Sequence, residues 1–416
     1  MFFEGNPADY DVKTRRLNLI ALITLAGFVL SFLYYYLRLS PPQPQSFLFP
    51  PSDRFGDFSV LLAASAKPYA STASGCNHFP FLLRFCWLFS LLPRMLARWI
   101  WLLWFGAFGL AALYKGFKTQ DKASGWTNTL IIFLLSYPVL FAVDRGNFET
   151  FVFMCVYLFA VSLYRGKRGL AALFLALAVA LKPFPAVFLG LLLSEGEYAC
   201  AWRAALGAAL LTFACYLSYS GDVFETIIRH FYILRYYDYW STYCDVGLAF
   251  GHSLFGAAKA LLLGVQPALL AQPGFVSVFK SVYGVSALFA GVWLVGFAFK
   301  RRNTLAFWEK LALYVCAMNL LPFVSSDYKL LHLLLPLIFF VNEPKTGRHD
   351  VLCAVLFGLL LAPKSFSHYS VHAILFSYRE GVVLNPLLML ALAIAIIHGQ
   401  FARPACASNG GHADVL

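Results

Sequence analysis

Apolar runs long enough to cross a bilayer recur along the whole chain, and they limit its fold class before any motif is read. Leu17–Leu37, Trp99–Tyr114, Ala204–Tyr219 and Phe275–Phe299 carry almost no charge, and about 20 such residues in a helix span the hydrocarbon. A backbone in lipid must satisfy its own hydrogen bonds, so spans of this kind are helical. Composition points the same way: 60% of residues are hydrophobic and 12% charged, against roughly 25% charged in a soluble domain. The chain reads as an all-α polytopic membrane protein.

Basic residues set its expected orientation. Lys13, Arg15 and Arg16 precede the first run and place the N-terminus on the cytoplasmic side. That run is followed by Arg38 and the proline-rich stretch 41–51, the pattern of a retained span rather than a cleaved signal peptide. The compact loops 115–122, 165–168 and 300–302 are basic and fall inside. Alternating from there gives about twelve crossings, with about ten as a lower bound; those starting at Pro185, Leu330 and Val351 are short for a span.

Within this topology Thr127–Val143 is one span, and Phe79–Pro93, interrupted by Arg84, is an interfacial or re-entrant helix. The stretch 170–193 divides into two short helices at 182-KPFP-185, where two prolines interrupt helical hydrogen bonding. Residues 38–97 and 220–274 are long outer segments, and Trp99, Trp101, Trp104 and Tyr114 stand where interface anchors belong. The expected division is a cytoplasmic segment 1–16, a transmembrane domain 17–398 and a cytoplasmic tail 399–416.

Several function classes lack support. The net charge is +12, but Lys and Arg are scattered at span ends with no basic domain, so no nucleic-acid partner is expected. The Cys residues are isolated and read as packing residues. His78, His252, His332 and His368 have no zinc-ligand spacing, and no Walker A or Rossmann glycine pattern is present. No metal or cofactor is expected.

Four polar islands interrupt the apolar pattern: 53-DRFGDF-58, 144-DRGNFE-149, 182-KPFP-185 and 325-SSDYK-329. All fall on the outer face in the expected topology. Asp57 or Asp53 could accept a proton from a hydroxyl nucleophile. Asp57 is preferred because Gly56 permits close backbone approach and Phe58 could screen it from water. Alternatively, Asp53 pairs with Arg54 and Asp57 caps a helix through the amide of Ser59 or Val60. Arg145, Lys182 and Lys329 could compensate phosphate charge, or snorkel to headgroups. Asp144, Asn147 and Glu149 could orient Arg145 or bind sugar hydroxyls, or Asp144 and Glu149 could stabilise the turn and the next helix. Asp327 could position Lys329 or a sugar. His252 could meet an outer-face substrate or be a structural histidine. A transporter is the rival reading, since proline-broken helices line binding sites in carriers.

Taken together, 56-GDF-58, 144-DRGNFE-149, 179-VALKPFPAVFL-189 and 325-SSDYKLLHLLLPL-337 resemble the bacterial membrane glycosyltransferases of family 87. The resemblance runs from about residue 17 to 398, and DRGNFE followed by LKPFP is its most specific part. It implies a GT-C-like fold of about 10 to 12 transmembrane helices and inverting transfer of a hexose, possibly mannose, from a polyprenyl-phosphate-linked donor to a hydroxyl of an envelope glycolipid or glycan. The general base implied is Asp57, with Asp53 in reserve, and the donor phosphate or sugar would meet Arg145, Lys182, Lys329, Asp144, Asn147, Glu149, Asp327 and His252. It places the enzyme in the cytoplasmic membrane among membrane lipids, with its active site on the outer side. The segment 78-HFPF-81 departs from the Tyr-Pro-Pro-like pattern of the family.

Overall fold

In the computed structural model the sequence folds almost wholly as helices; it describes residues 7–37, 53–66, 69, 77–219, 221–244, 248, 250–344, 347–364, 368–371 and 376–401. The first half consists of α1 (Pro7–Leu37), α2 (Gly56–Ala66), α3 (Pro80–Ser90), α4 (Arg94–Phe117), α5 (Lys122–Leu135), α6 (Tyr137–Arg145), α7 (Glu149–Tyr164) and α8 (Arg168–Leu181). A 3-10 turn, Phe184–Ala186, leads into α9 (Val187–Ser194) and α10 (Tyr198–Leu217). Next come α11 (Val223–Tyr243), α12 (Leu254–Val265), α13 (Pro267–Leu270), α14 (Pro273–Lys300) and α15 (Phe307–Leu320). A 3-10 segment, Asp327–Leu333, precedes α16 (Leu334–Val341), then α17 (Asp350–Leu361) and α18 (Gly381–Phe401). The antiparallel hairpin of β1 (His368–Val371) and β2 (Phe376–Arg379) is the sole sheet among the described residues.

Five helices are long and apolar enough to cross a membrane, six if the bent pair α5–α6 counts as one span. α14 shows what covers them. Only 11% of its apolar window is buried, and Val282, Val285, Leu288, Phe289, Val292 and Trp293 are all exposed. A helix apolar all round needs an apolar environment on every side, and lipid supplies it. The protein is a membrane protein. Protein instead surrounds α15 and α16, where Leu311–Val315 and Leu334–Val341 are buried without a break.

Local chemistry accounts for the departures from the sequence reading. The expected span Thr127–Val143 is broken, because Pro138 in the first turn of α6 cannot continue the α5 hydrogen-bond ladder and the two helices bend by 50°. The break at KPFP is where expected, with the 3-10 turn between α8 and α9. The described residues of 220–274 include α11, α12, α13 and the first residues of α14, with Asp222 and Ser253 capping α11 and α12. Trp101 is fully buried, not an interface anchor, whereas Trp99 and Trp104 are exposed.

Side-chain contacts sort the helix termini into two ends. At one, Arg16 bonds the carbonyls of Phe340 and Glu343 and the carboxylate of Asp350, and Asn342 bridges Lys13 and the Gly116 carbonyl. Arg168 pairs with Glu197, Lys310 with Glu195, and Gln400 with Glu309 at the same end. The opposite end gathers α2, α3, the end of α6, the start of α7, the KPFP turn and the 3-10 segment 327–333. Glycines let α1 and α17 approach closely: a Cβ on Gly27 would lie 2.4 Å from Ala362 Cβ, and one on Gly358 2.8 Å from Ile23 Cβ. Gly27→Val is therefore expected to destabilise the protein by about 1–3 kcal/mol through overpacking, measured as a lower melting temperature in detergent; an unchanged melting curve would show that the two helices part freely.

Candidate active site

The site begins with a turn that only two unusual backbone conformations make possible. α6 ends at Gly146 in the left-handed conformation, φ 60°, and a Cβ there would lie 2.5 Å from the Phe55 ring. Phe55 itself has φ 57°, a strained conformation for a bulky residue. It is held by an N–H bond to the Asp144 carbonyl at 2.7 Å and by edge contacts with Trp101 and Phe58. The turn thereby locks the start of α2 against the end of α6.

That docking brings Asp57 to Arg145. Arg145 donates from Nε to Asp57 Oδ1 at 3.1 Å and from Nη2 to the same oxygen. Its Nη1 reaches the backbone carbonyl of Asp53 at 3.1 Å and the Asp53 carboxylate. Gly56 leaves room for this contact: a Cβ on it would lie 3.0 Å from the guanidinium and crowd Asp53 Oδ1. Asn147 donates to Asp57 Oδ2 at 2.6 Å. The Asp57 side chain is 25% exposed and that of Asp53 47%. Asp53 thus pairs with Arg145 rather than with Arg54, which approaches Asp144 at 3.8 Å. Asp57 lies in the first turn of α2, where the Ser59 N–H bonds the Phe55 carbonyl at 3.0 Å; at the start of α7 Asn147 Oδ1 accepts the Glu149 N–H at 2.8 Å.

A deeper layer of buried groups continues from Asn147. Lys182 donates to Asn147 Oδ1 at 3.1 Å and to Glu149 Oε2 at 2.8 Å. His332 bonds Glu149 Oε1 at 2.6 Å. Glu149 is fully buried, with both oxygens spoken for, so it orients Lys182 and does not contact Arg145 or an outside hydroxyl. Lys182 also lies 4.7 Å from the centre of the Tyr328 ring. Lys329 makes no ion pair among the described residues; its ammonium sits 4.4 Å over Phe184 and 3.5 Å from the Val324 carbonyl.

Asp327 and His252 form a separate network. Asp327 accepts from His252 Nδ1 at 3.0 Å and from the Tyr137 hydroxyl. The other His252 nitrogen lies 2.8 Å from Asn319 Oδ1 and 2.9 Å from Ser325 Oγ. Both residues are buried, and an antiparallel bridge pairs Gly251 with Ser326 beside them. Asp327 therefore does not position Lys329, and His252 fastens the 250–256 turn to the 3-10 segment. Sequence reading missed His332 and Tyr137; the available signal for His332 was its spacing of three from Lys329.

The model of glycosyltransferase family 87 matches residues 79–326. The chain belongs to this family. It is a glycosyltransferase with membrane-spanning helices. No curated protein and no solved structure matches it significantly. The matched range contains DRGNFE and LKPFP but begins after Asp57 and ends before Asp327, so contact with Arg145 and Asn147, not the family match, joins Asp57 to those motifs.

Two predictions test this assembly. Glu149→Gln leaves the Lys182 ammonium buried without its counter-charge and is expected to cost about 3–5 kcal/mol, whereas Lys182→Met with Glu149→Leu should recover much of it in detergent melting curves. A single substitution no more harmful than the pair would contradict a coupled ion pair. Gly56→Ala is expected to push Arg145 from Asp57 and to lower glycosyl transfer more than stability, and wild-type turnover in that variant would show that the close approach is dispensable.

Proposed function

We propose that the protein transfers a hexose, possibly mannose, from a polyprenyl-phosphate donor to a hydroxyl group of an envelope glycolipid or glycan, with inversion and with Asp57 as general base. The observation that carries this reading is the way Asp57 is held. An ionised carboxylate has about four acceptor positions; Arg145 uses two on Oδ1 and Asn147 one on Oδ2. One position on Oδ2 stays open for a hydroxyl proton, on a side chain that is partly exposed.

The chemistry then follows from the charges nearby. As the acceptor oxygen bonds to the anomeric carbon, its proton passes to Asp57 Oδ2 and the bond from that carbon to the phosphate oxygen breaks on the opposite face. The prenyl phosphate leaves with the bonding pair. Lys329, with no ion pair among the described residues, is the cation suited to its growing charge. Lys182 and Arg145 are already matched by Glu149, Asp53 and Asp57, and they shape the site while Lys329 answers the phosphate. Asp53, more exposed than Asp57, is the reserve base.

A GT-C-like transmembrane catalytic domain over 17–398, with 10 to 12 crossings, fits this function. Its support is that α7, α8, α9 and α16 each run between the end bearing the Asp57 cluster and the end bearing Arg16, Arg168 and Lys310, though they are short. Basic loops favour the cytoplasm, so both termini lie there and Asp57 faces outward from a bacterial cytoplasmic membrane. A lipid-linked donor can then keep its tail in the bilayer and bring only its head to Asp57.

The test offers polyprenyl-phosphate sugars and an envelope-lipid extract to purified protein, with mass spectrometry of glycosylated product and released prenyl phosphate. Asp57→Asn is expected to lower kcat by about 10²–10⁴-fold, the range for a lost general base, with the melting temperature retained. Full turnover in Asp57→Asn would remove the base assignment, and solute transport into liposomes without product would replace the transferase reading with a carrier.

A further inference from the structure

His332 lies beneath the carboxylate cluster, and the chemistry above leaves it without a role. It stands in the 3-10 segment Asp327–Leu333, one turn beyond Lys329. Side chains at i and i+3 eclipse in a 3-10 helix, whereas in an α-helix they diverge by about 60°. The tighter winding thus aims Lys329 and His332 to the same side, where both meet Phe184. The imidazole is fully buried, edge-on to Phe153 and Phe184, each at 5.9 Å. Nε2 bonds Glu149, while Nδ1 has no hydrogen-bond partner among the described residues. The hydrogen bond of this buried ring is therefore the one through Nε2.

What Nε2 does can be followed bond by bond. It donates to Glu149 Oε1 at 2.6 Å, and Glu149 Oε2 holds Lys182 at 2.8 Å. Lys182 donates to Asn147 Oδ1 at 3.1 Å, an oxygen that also accepts the Glu149 N–H at 2.8 Å. With two donors on its oxygen, the Asn147 amide has one workable orientation, since the flipped form would set its NH2 against an ammonium and an N–H. That orientation points Nδ2 at Asp57 Oδ2, 2.6 Å away.

We infer that His332 is a positioning residue for glycosyl transfer, acting through Glu149, Lys182 and Asn147 to fix the carboxylate of Asp57; the inference rests on Asp57 being the base. Without the His332 donor, Glu149 Oε1 is left as a buried unpaired acceptor, and the carboxylate rotates to share Lys182 across both oxygens. The ammonium leaves Asn147, whose Oδ1 then keeps only the Glu149 N–H; the amide keeps its orientation but is held less firmly, and Asp57 gains freedom about its side-chain bonds. Turnover falls because the acceptor proton no longer has a fixed destination, while donor and acceptor binding persist.

The test is a double-mutant cycle read as kcat and KM on purified enzyme, with melting temperature followed alongside. His332→Leu is expected to lower kcat by about ten- to a hundredfold, the scale of a misplaced reacting group, with KM for both substrates within about twofold. His332→Gln, which keeps a donor near Glu149, should recover most of the turnover. In an Asn147→Ala background His332→Leu should lower kcat by less than about twofold, because two members of one relay are not additive. Multiplicative effects of His332→Leu and Asn147→Ala, or a His332→Gln variant no better than His332→Leu, would overturn the relay whatever Asp57 does. Full turnover of Asp57→Asn would instead remove the base reading. Should His332→Leu not assemble, His332→Asn, polar but too short to reach Glu149, takes its place in the cycle.

Discussion

The contact between Arg145 and the two aspartates of the 53–58 segment is the interaction on which the site depends. It joins a turn distant in sequence to the end of α6, with room left by the missing Cβ of Gly56 and a left-handed backbone at Gly146. A guanidinium presents its donors in a rigid fork, so one side chain can hold Asp57 through two nitrogens and Asp53 through the third. The aromatic wall of Phe55, Phe58, Trp101 and Phe148 closes beneath that contact and keeps the pair only partly solvated.

Beneath it the 3-10 segment Asp327–Leu333 links two polar networks. Its first residue binds His252 and Tyr137, and His332 on its next-to-last position binds Glu149. Burying charge is costly unless each group is matched, and the matching is close: Glu149 meets Lys182 and His332, while Asp327 meets His252 and Tyr137. The central helices α15 and α16 are buried around their whole circumference, and α16, apolar throughout, cannot fix its own rotation. These polar contacts at the junction between them supply that specificity. The opposite end uses the same device more simply, through Arg16 on Phe340, Glu343 and Asp350.

Much of this was legible in the sequence. The apolar runs fixed the helical membrane class, since no other backbone arrangement of that hydropathy satisfies its own hydrogen bonds in lipid. KPFP announced the break between α8 and α9 through proline alone, and DRGNFE with LKPFP pointed to the family that residues 79–326 match. The same local logic, applied without its tertiary setting, failed in three places. Thr127–Val143 reads as one span until Pro138 bends it, Trp101 reads as an interface anchor like Trp99 and Trp104 but is buried, and Asp327 reads as a partner for Lys329 but is taken by His252 and Tyr137.

The sequence by itself determined which residue types were present in quantity and spacing unusual for a membrane protein: Asp57, Arg145, Lys182 and Lys329 at the edges of apolar runs. Only the tertiary structure decided which of them are partners. Arg145 and Lys182 are claimed by carboxylates, Lys329 makes no ion pair among the described residues, and His332, inside the 325–337 motif but given no role by it, stands at the base of the network. The reason is physical. Hydropathy and helix breaking act within a few residues, whereas the pairing of buried charges depends on which helix ends meet, and contacts between segments as far apart as 149 and 332 set that.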